Sequence, residues 1–185
     1  MLESTFTTTE SPEPASIPDT ETIVRDICAA TQEVFSTMLG WEVQPGTPFR
    51  RKNEVASAEG VMSLIGLAGP WTGAGSLLCT PECACRMAAS LLLTGYEAVN
   101  NEVLDAVAEL TNMVIGSVKT LLEPQTGPLG LSIPSVVFGR NFTIRNGVND
   151  EWTVVPFADR EHQFEVRVCL MRNRGSAKGL MAAAV

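Results

Sequence analysis

The sequence predicts an α+β domain in which long helices pack on a mostly antiparallel β-sheet. Three segments place apolar residues at the helical spacing of three and four, and several others read as strands. The order is one helix, two strands, two helices and a final run of strands, without the strand–helix alternation of parallel sheets. With 185 residues, 45% of them hydrophobic, the chain can fill one domain with a sizeable core.

The first half of the chain is predicted to contain a helix and a strand pair. Residues 1–20 include three prolines and no periodicity, which is typical of a disordered leader. A helix is predicted over 21–39, with Thr20 as its N-cap and Gly40 after its end. Residues 41–53 read as an extended connection. Strands over 54–68 and 73–79 follow, joined by the turn-rich stretch 69–73.

The second half contains two helices and the remaining strands. A helix is predicted to begin near Pro81, which suits a first helical turn, and to reach Leu93 before Gly95. A long helix over 100–122 follows. The closing strands are predicted over 129–138, 141–145, 151–156 and 162–172. Residues 173–185 read as a flexible tail, which leaves 21–172 as the domain.

Composition argues against several classes of partner. The net charge of −8 disfavours nucleic acid, which selects basic surfaces. No apolar run approaches the roughly 18 residues of a membrane-spanning helix, so no membrane insertion is expected. The five cysteines are an odd number in apolar contexts, which predicts buried thiols and a reducing, cytoplasmic location.

Few residues are suited to conventional active-site chemistry. His162 is the only histidine and opens a strand, away from any obvious nucleophile. Cys79, Cys83 and Cys85 have C-x3-C-x-C spacing without a second ligand pair, so burial is a better interpretation than a metal site. The Gly73-Ala74-Gly75 stretch lacks the third glycine of a dinucleotide loop and opens a strand rather than a helix.

The long helix carries the most informative polar pair. Its apolar stripe is Val103, Val107, Leu110, Val114, Val118 and Leu121. Glu109 and Asn112 lie more than about 120° from the centre of that stripe and are three residues apart, hence neighbours on the surface. Gly116, which flanks the pair, destabilises a helix by about 1 kcal/mol relative to alanine. A glycine kept at that cost favours a surface that leaves space for a docking partner. An ordinary solvent-facing polar pair remains the alternative.

A family resemblance gives this pair a specific meaning. The stretch Glu109–Gly116 (ELTNMVIG) resembles the E-x-x-N helix of the CheC/CheX chemotaxis phosphatases, and Leu131–Gly139 (LSIPSVVFG) resembles the strand that follows it in the CheX branch. Gly73–Leu78 and the small-residue helix after it are similar to the preceding strand and helix of that branch. The resemblance covers roughly residues 21–172 and implies a CheC/CheX-like fold. CheC-type relatives have a second E-x-x-N on the first helix, where this chain has only Asp26.

The resemblance implies dephosphorylation of the aspartyl phosphate of a CheY-like receiver domain. Asn112 would orient the attacking water and Glu109 would pair with a receiver lysine. Asp105, Ala108, Gly116 and Lys119 would extend the partner-binding face. The phosphorylated aspartate and Mg²⁺ would belong to the receiver, so the chain is expected to bind no metal or cofactor of its own.

Three questions stay open at the level of the sequence. One alternative to catalysis is a receiver-binding scaffold that uses the same helix face without hydrolysis. Another is an adaptor like those of the flagellar switch. Members of the CheX branch can also dimerise by joining sheet edges, which makes a homodimer an expectation here.

Overall fold

Helices packed on an antiparallel sheet form the domain, which confirms the predicted α+β class. The computed structural model describes residues 18–52, 57–143, 151–159 and 162–173. Within these ranges there are three helices: α1 Thr20–Leu39, α2 Pro81–Leu92 and α3 Asn101–Thr126. They share one hydrophobic core with the sheet. No helix in these ranges is long and apolar enough to cross a membrane.

Eight strands of the described chain form one sheet in which every pairing is antiparallel. Its order is β1-β7-β8-β4-β3-β5, with β2 also paired to β7 and β6 also paired to β3. The strands are β1 Gln44–Pro45, β2 Phe49–Lys52, β3 Ser57–Ala68, β4 Trp71–Cys79, β5 Gly130–Leu131, β6 Ser135–Thr143, β7 Glu151–Asp159 and β8 His162–Arg172.

The helix boundaries follow capping chemistry with small departures from the prediction. Asp19, and not Thr20, caps α1, because its carboxylate accepts a hydrogen bond of 2.6 Å from the Thr22 N–H. Gly40 ends α1 with the expected left-handed conformation at φ 67°. Helix α2 ends at Leu92, one residue before the predicted end, and Leu93 is its C-cap with a left-handed φ of 55°.

The strands differ more from the prediction. The turn between β3 and β4 is only Gly69-Pro70, so β4 begins at Trp71. The expected extended connection 41–53 contains β1 and β2, which pair with β7. Residues 139–140 do not interrupt β6, whereas Ser132–Pro134 separate it from β5, and Pro134 has no N–H for a ladder. Predicted strand residues 144–145 lie outside the described ranges.

The described residues reach just past both predicted ends of the domain, 21 and 172. Thr20, expected as the last leader residue, is already helical. Asn173, expected as the first residue of the tail, donates its backbone N–H to the Pro70 carbonyl and its side-chain amide to the Gly69 carbonyl. The rest of the predicted leader, 1–17, and of the tail, 174–185, lies outside the described residues.

Helix α3 buries nearly the apolar stripe that its sequence predicts. Val103, Val107, Leu110, Val114 and Val118 are at most 1% exposed. Leu121 was assigned to the stripe wrongly: it is 43% exposed, and Leu122 is buried in its place. The helix runs to Thr126, and Leu122 and Thr126 are the residues buried in its last turns. The following Gly127 lies beside Pro70 of the β3–β4 turn.

Gly75 of β4 determines how closely α3 packs on the sheet. A methyl group at Gly75 would lie 2.5–2.7 Å from three side-chain atoms of Ile115, which is far inside van der Waals contact. Ile115 is itself 1% exposed. Only glycine therefore allows α3 to approach the strand this closely, and the contact sets which side of the helix faces outward.

We expect Gly75→Ala to destabilise the fold by about 1–3 kcal/mol, the usual cost of overpacking a core. Urea denaturation followed by circular dichroism measures the free energy of unfolding. Gly95→Ala is the matched control, since a methyl group there would meet no atom within 4 Å. Equal free energies of unfolding for Gly75→Ala and wild type would contradict the close approach of α3 to β4.

Candidate functional site

The outward face of α3 carries the two polar residues singled out by the sequence. Taking about 100° per residue, Asn112 lies about 60° round the helix from Ile115 and Glu109 about 120°. Asn112 is accordingly half-buried and Glu109 exposed. Within the described residues neither side chain makes a hydrogen bond or an ion pair. Both functional groups are thus directed to the surface with unused hydrogen-bonding capacity.

The other predicted contact residues lie on the same side of α3. Asp105 is exposed, whereas Ala108, Gly116 and Lys119 are half-buried. We refer to Asp105, Ala108, Glu109, Asn112, Gly116 and Lys119 as the α3 face. The structure brings all six together along four turns of one helix, and they therefore form a continuous strip.

Gly116 is not required by the packing of the fold. A methyl group there would lie 3.8 Å from Leu131 Cδ1, which is an ordinary van der Waals contact. Its carbonyl accepts a hydrogen bond of 3.0 Å from the Thr120 hydroxyl. Glycine in a helix costs about 1 kcal/mol relative to alanine, and the packing of the described residues does not require a residue this small here.

Lys119 is engaged within the chain. Its ammonium group lies 2.8 Å from Glu123 Oε1, and the same oxygen accepts a 2.9 Å hydrogen bond from the Leu129 N–H. The hydrogen bond with Lys119, followed by that from Leu129, holds the pKa of Glu123 below its usual 4.5. Lys119 therefore anchors the segment after α3, and it would have to leave Glu123 to contact a partner directly.

The first half of α3 presents negative charge. Glu102 accepts a 2.8 Å hydrogen bond from the Tyr96 hydroxyl, which raises the pKa of that tyrosine. Asp105 and Glu109 are exposed and four residues apart, a like-charge spacing that destabilises a helix by roughly 0.2–0.5 kcal/mol. This end of the α3 face is suited to a cationic partner group.

The α3 face is the surface of a helix and not the wall of a pocket. A cleft of about 610 Å³ lies elsewhere, between the end of α1, helix α2 and the β7–β8 hairpin. His162, half-buried at the start of β8 as predicted, stacks on Trp41 in this cleft at 6.2 Å between ring centroids. None of its lining residues belongs to α3. Any chemistry at Asn112 would therefore need a partner to enclose it.

The cysteines and acids of the described residues form no metal centre. No group of three or more His, Cys, Asp or Glu side chains is placed there to hold an ion. The five cysteines are thiols that are not joined in disulfides, and four of them are buried. A side-chain hydrogen bond with Cys83, together with burial, raises the pKa of Cys79 well above 9.0, which keeps this thiol protonated.

Helix α1 does not display a second acid–amide pair. Asp26 is only 3% exposed, and its Oδ1 accepts hydrogen bonds of 3.0 and 2.9 Å from the Arg25 guanidinium. Ala29, at the position where a carboxamide would be needed, is exposed. The acid on α1 is turned inward, so the described chain presents one such face.

The structure adds a neighbour that the periodicity of α3 could not reveal. Leu131 of β5 packs beside Gly116, and Ile133 follows it with 86% of its surface exposed. The only sequence signal was the position of an isoleucine immediately before Pro134. Leu131 therefore borders the α3 face from outside the helix.

We expect Gly116→Ala to raise the free energy of unfolding by about 1 kcal/mol, because helix propensity improves and the methyl group fits. The sign is opposite to that expected for Gly75→Ala, where the same methyl group would overlap Ile115. Urea denaturation of the two variants side by side measures both. A loss of stability in Gly116→Ala would show that the fold needs this glycine.

Comparisons with known proteins agree with this arrangement. The model of the chemotaxis phosphatase CheX family matches residues 61–158. This span runs from β3 to β7 and includes the whole of α3. No curated protein matches the chain.

Similar structures have been solved for other chemotaxis proteins. A chemotaxis protein of Desulfovibrio vulgaris Hildenborough is 31% identical with a TM-score of 0.72, over 80% of this chain and 96% of that one. The chemotaxis protein CheX of Desulfovibrio desulfuricans is 30% identical with a TM-score of 0.72, over 80% and 99%. The CheX of Borrelia burgdorferi, solved as a CheX–CheY–BeF₃–Mg²⁺ complex, is 25% identical with a TM-score of 0.67, over 81% and 98%. The chain belongs to the CheX family of chemotaxis phosphatases.

Proposed function

We propose that this protein is a cytoplasmic phosphatase that removes the phosphoryl group from the aspartate of a CheY-like receiver domain in chemotaxis or two-component signalling. The observation that carries the proposal is the pair Glu109 and Asn112, one helical turn apart and without partners in the described residues. Family membership supports it. The Borrelia burgdorferi relative in complex with CheY, BeF₃ and Mg²⁺ also supports it.

The proposed reaction is hydrolysis of an acyl phosphate. Water attacks the phosphorus, the bond from phosphorus to the aspartyl oxygen breaks, and the aspartate leaves as a carboxylate. Mg²⁺ held by the receiver neutralises charge on the phosphoryl oxygens. Because an acyl phosphate is already reactive, orienting the water supplies much of the acceleration.

Asn112 is suited to that orientation. Its amide oxygen accepts a hydrogen bond from water and its NH₂ group donates to a phosphoryl oxygen. Its half-buried position would leave it fewer rotamers than a fully exposed side chain has, which would lower the entropy lost on forming the complex. Unlike a histidine or a carboxylate, a carboxamide does not titrate. Asn112 would therefore position the water and would not act as a general base.

Glu109 is suited to docking. It is exposed, and Asp105 one turn away adds a second negative charge. A receiver lysine paired with Glu109 sets the register of the complex and speeds encounter more than it adds affinity. Ala108 and Gly116 are small residues, which leaves room for the receiver backbone to approach the α3 face.

We expect Asn112→Ala to lower kcat by about 100-fold with KM nearly unchanged, since the lost interaction orients water in the transition state. Glu109→Ala raises KM instead, because it removes a docking contact. Phosphate release from a receiver phosphorylated on its aspartate, measured over a range of receiver concentrations, separates the two parameters.

Matched controls come from the same chain. Asn101→Ala removes an exposed asparagine at the start of α3, and Glu33→Ala removes an exposed glutamate of α1. Both are expected to keep wild-type rates. Equal rates for wild type and Asn112→Ala would refute the catalytic role. Saturable binding with an unchanged phosphate lifetime would favour the receiver-binding scaffold.

A homodimer joined through β6 is the assembly we propose. In the described residues β6 pairs with β3 on one side only, and its exposed apolar residues are Val137 and Phe138, at 36% and 50%. An unpaired strand edge with apolar side chains readily pairs with another strand. Two copies of β6 could continue the antiparallel sheet across the interface.

We expect Phe138→Lys to convert a dimer into a monomer, because charged lysines on edge strands oppose strand pairing. Size-exclusion chromatography with light scattering measures the mass. Met171→Lys, at an exposed methionine near the end of the interior strand β8, is the control and keeps the dimer mass. A monomeric wild-type protein would exclude this assembly.

A further inference from the structure

Ile133 is an exposed apolar residue on a segment that the fold holds in place. Its exposure of 86% is by itself ordinary, because single apolar residues are common on protein surfaces. The difference lies in the residues around it. They fix the backbone on both sides of Ile133 and connect it to the α3 face.

Hydrogen bonds and a proline restrict the Ile133 backbone. The Ser132 N–H donates to the Gly66 carbonyl at 2.9 Å, and the Gly66 N–H donates to Ser132 Oγ at 2.8 Å. The same hydroxyl donates to the Ile133 carbonyl at 2.8 Å. Pro134 disfavours a helical conformation for the residue before it and pushes it toward the extended region. The chain therefore presents this side chain at little further cost in backbone entropy.

The segment is continuous with the α3 face. Leu131 Cδ1 lies 3.8 Å from where a methyl group on Gly116 would be, so β5 borders the helix at that turn. Side chains two residues apart in extended backbone point to the same side. Ser132 is bonded to β3 and is flanked by Leu131 and Ile133, so we expect Ile133 on the same side as Leu131, the residue that borders Gly116. The strip thus has a negative end at Asp105 and Glu109, a carboxamide in the middle and an apolar end.

We propose that Ile133 is the apolar anchor of the complex and packs against an apolar side chain that the receiver presents beside its phosphorylation site. This inference rests on the proposed function. A receiver placed over Asn112 and Gly116 that extends past the helix on the side of β5 would meet Leu131, which borders Gly116, and the Ile133 side chain that follows it. Interfaces concentrate their binding energy in preorganised apolar anchors of this kind.

The test is the affinity of a CheY-like receiver from the same organism, loaded with Mg²⁺ and beryllofluoride, measured by fluorescence titration with the full-length protein. Ile133→Ser is expected to weaken binding about tenfold, from the apolar area left unburied. Ile133→Val, which keeps most of that area, stays close to wild type. In turnover, the loss for Ile133→Ser appears in KM and not in kcat, opposite to Asn112→Ala.

Leu93→Ser is the matched control, because Leu93 is 90% exposed but is the C-cap of α2 and not part of the segment that follows β5. It is expected to bind like wild type. Thermal unfolding confirms that each variant is folded.

The possible failures are distinguishable. If the wild type binds the receiver and Ile133→Ser binds it with the same affinity, the role of Ile133 as an anchor is refuted while the proposed function stands. The same holds if Leu93→Ser loses as much affinity as Ile133→Ser. A wild-type protein that neither binds nor dephosphorylates the receiver overturns both. A halved mass of Ile133→Ser with unchanged receiver affinity assigns Ile133 to contact between copies of this chain and also overturns the anchor.

Discussion

The arrangement of this domain depends on how closely α3 lies on the sheet at Gly75. Ile115 occupies the space that any other side chain at position 75 would fill, so the helix is fixed in height and in rotation. With Ile115 turned inward, Asn112 falls at the flank of the buried side and Glu109 at the exposed side. That difference separates a half-buried carboxamide from a carboxylate that is exposed to solvent or a partner. One contact in the core thereby sets the geometry of the surface.

Two glycines of this chain show why residue type alone does not report function. Gly75 and Gly116 both lie where α3 meets a strand, but a methyl group would overlap Ile115 at the first and fit beside Leu131 at the second. The first glycine serves the fold. The second has no such use, and its cost to the helix is consistent with a partner that needs the space. The distinction depends on distances between elements far apart in the sequence.

Local patterns were predictable, and pairings between distant segments were not. The 3.6-residue period of α3 identified its buried stripe and placed Glu109 and Asn112 opposite, because exposure along a helix follows the local sequence. The same pattern put Leu121 in the core, whereas Leu122 and Thr126 are the buried residues of the last turns. The four-residue spacing of Lys119 and Glu123 is readable as an ion pair. Its link to Leu129, and the contact between Gly116 and Leu131, appear only after the chain reverses direction.

In the proposed complex the α3 face would divide recognition among interactions of different range. The charges of Asp105 and Glu109 act over several ångströms and would orient the receiver before contact. The Asn112 carboxamide acts only at hydrogen-bonding distance, so it would contribute once the register is set. Ile133 would act last, because apolar contact requires water to leave, and it would govern how long the complex persists. Because all three kinds of group sit on elements fixed by the core, their order along the strip requires the receiver to carry a matching sequence of cationic, phosphorylated and apolar surface.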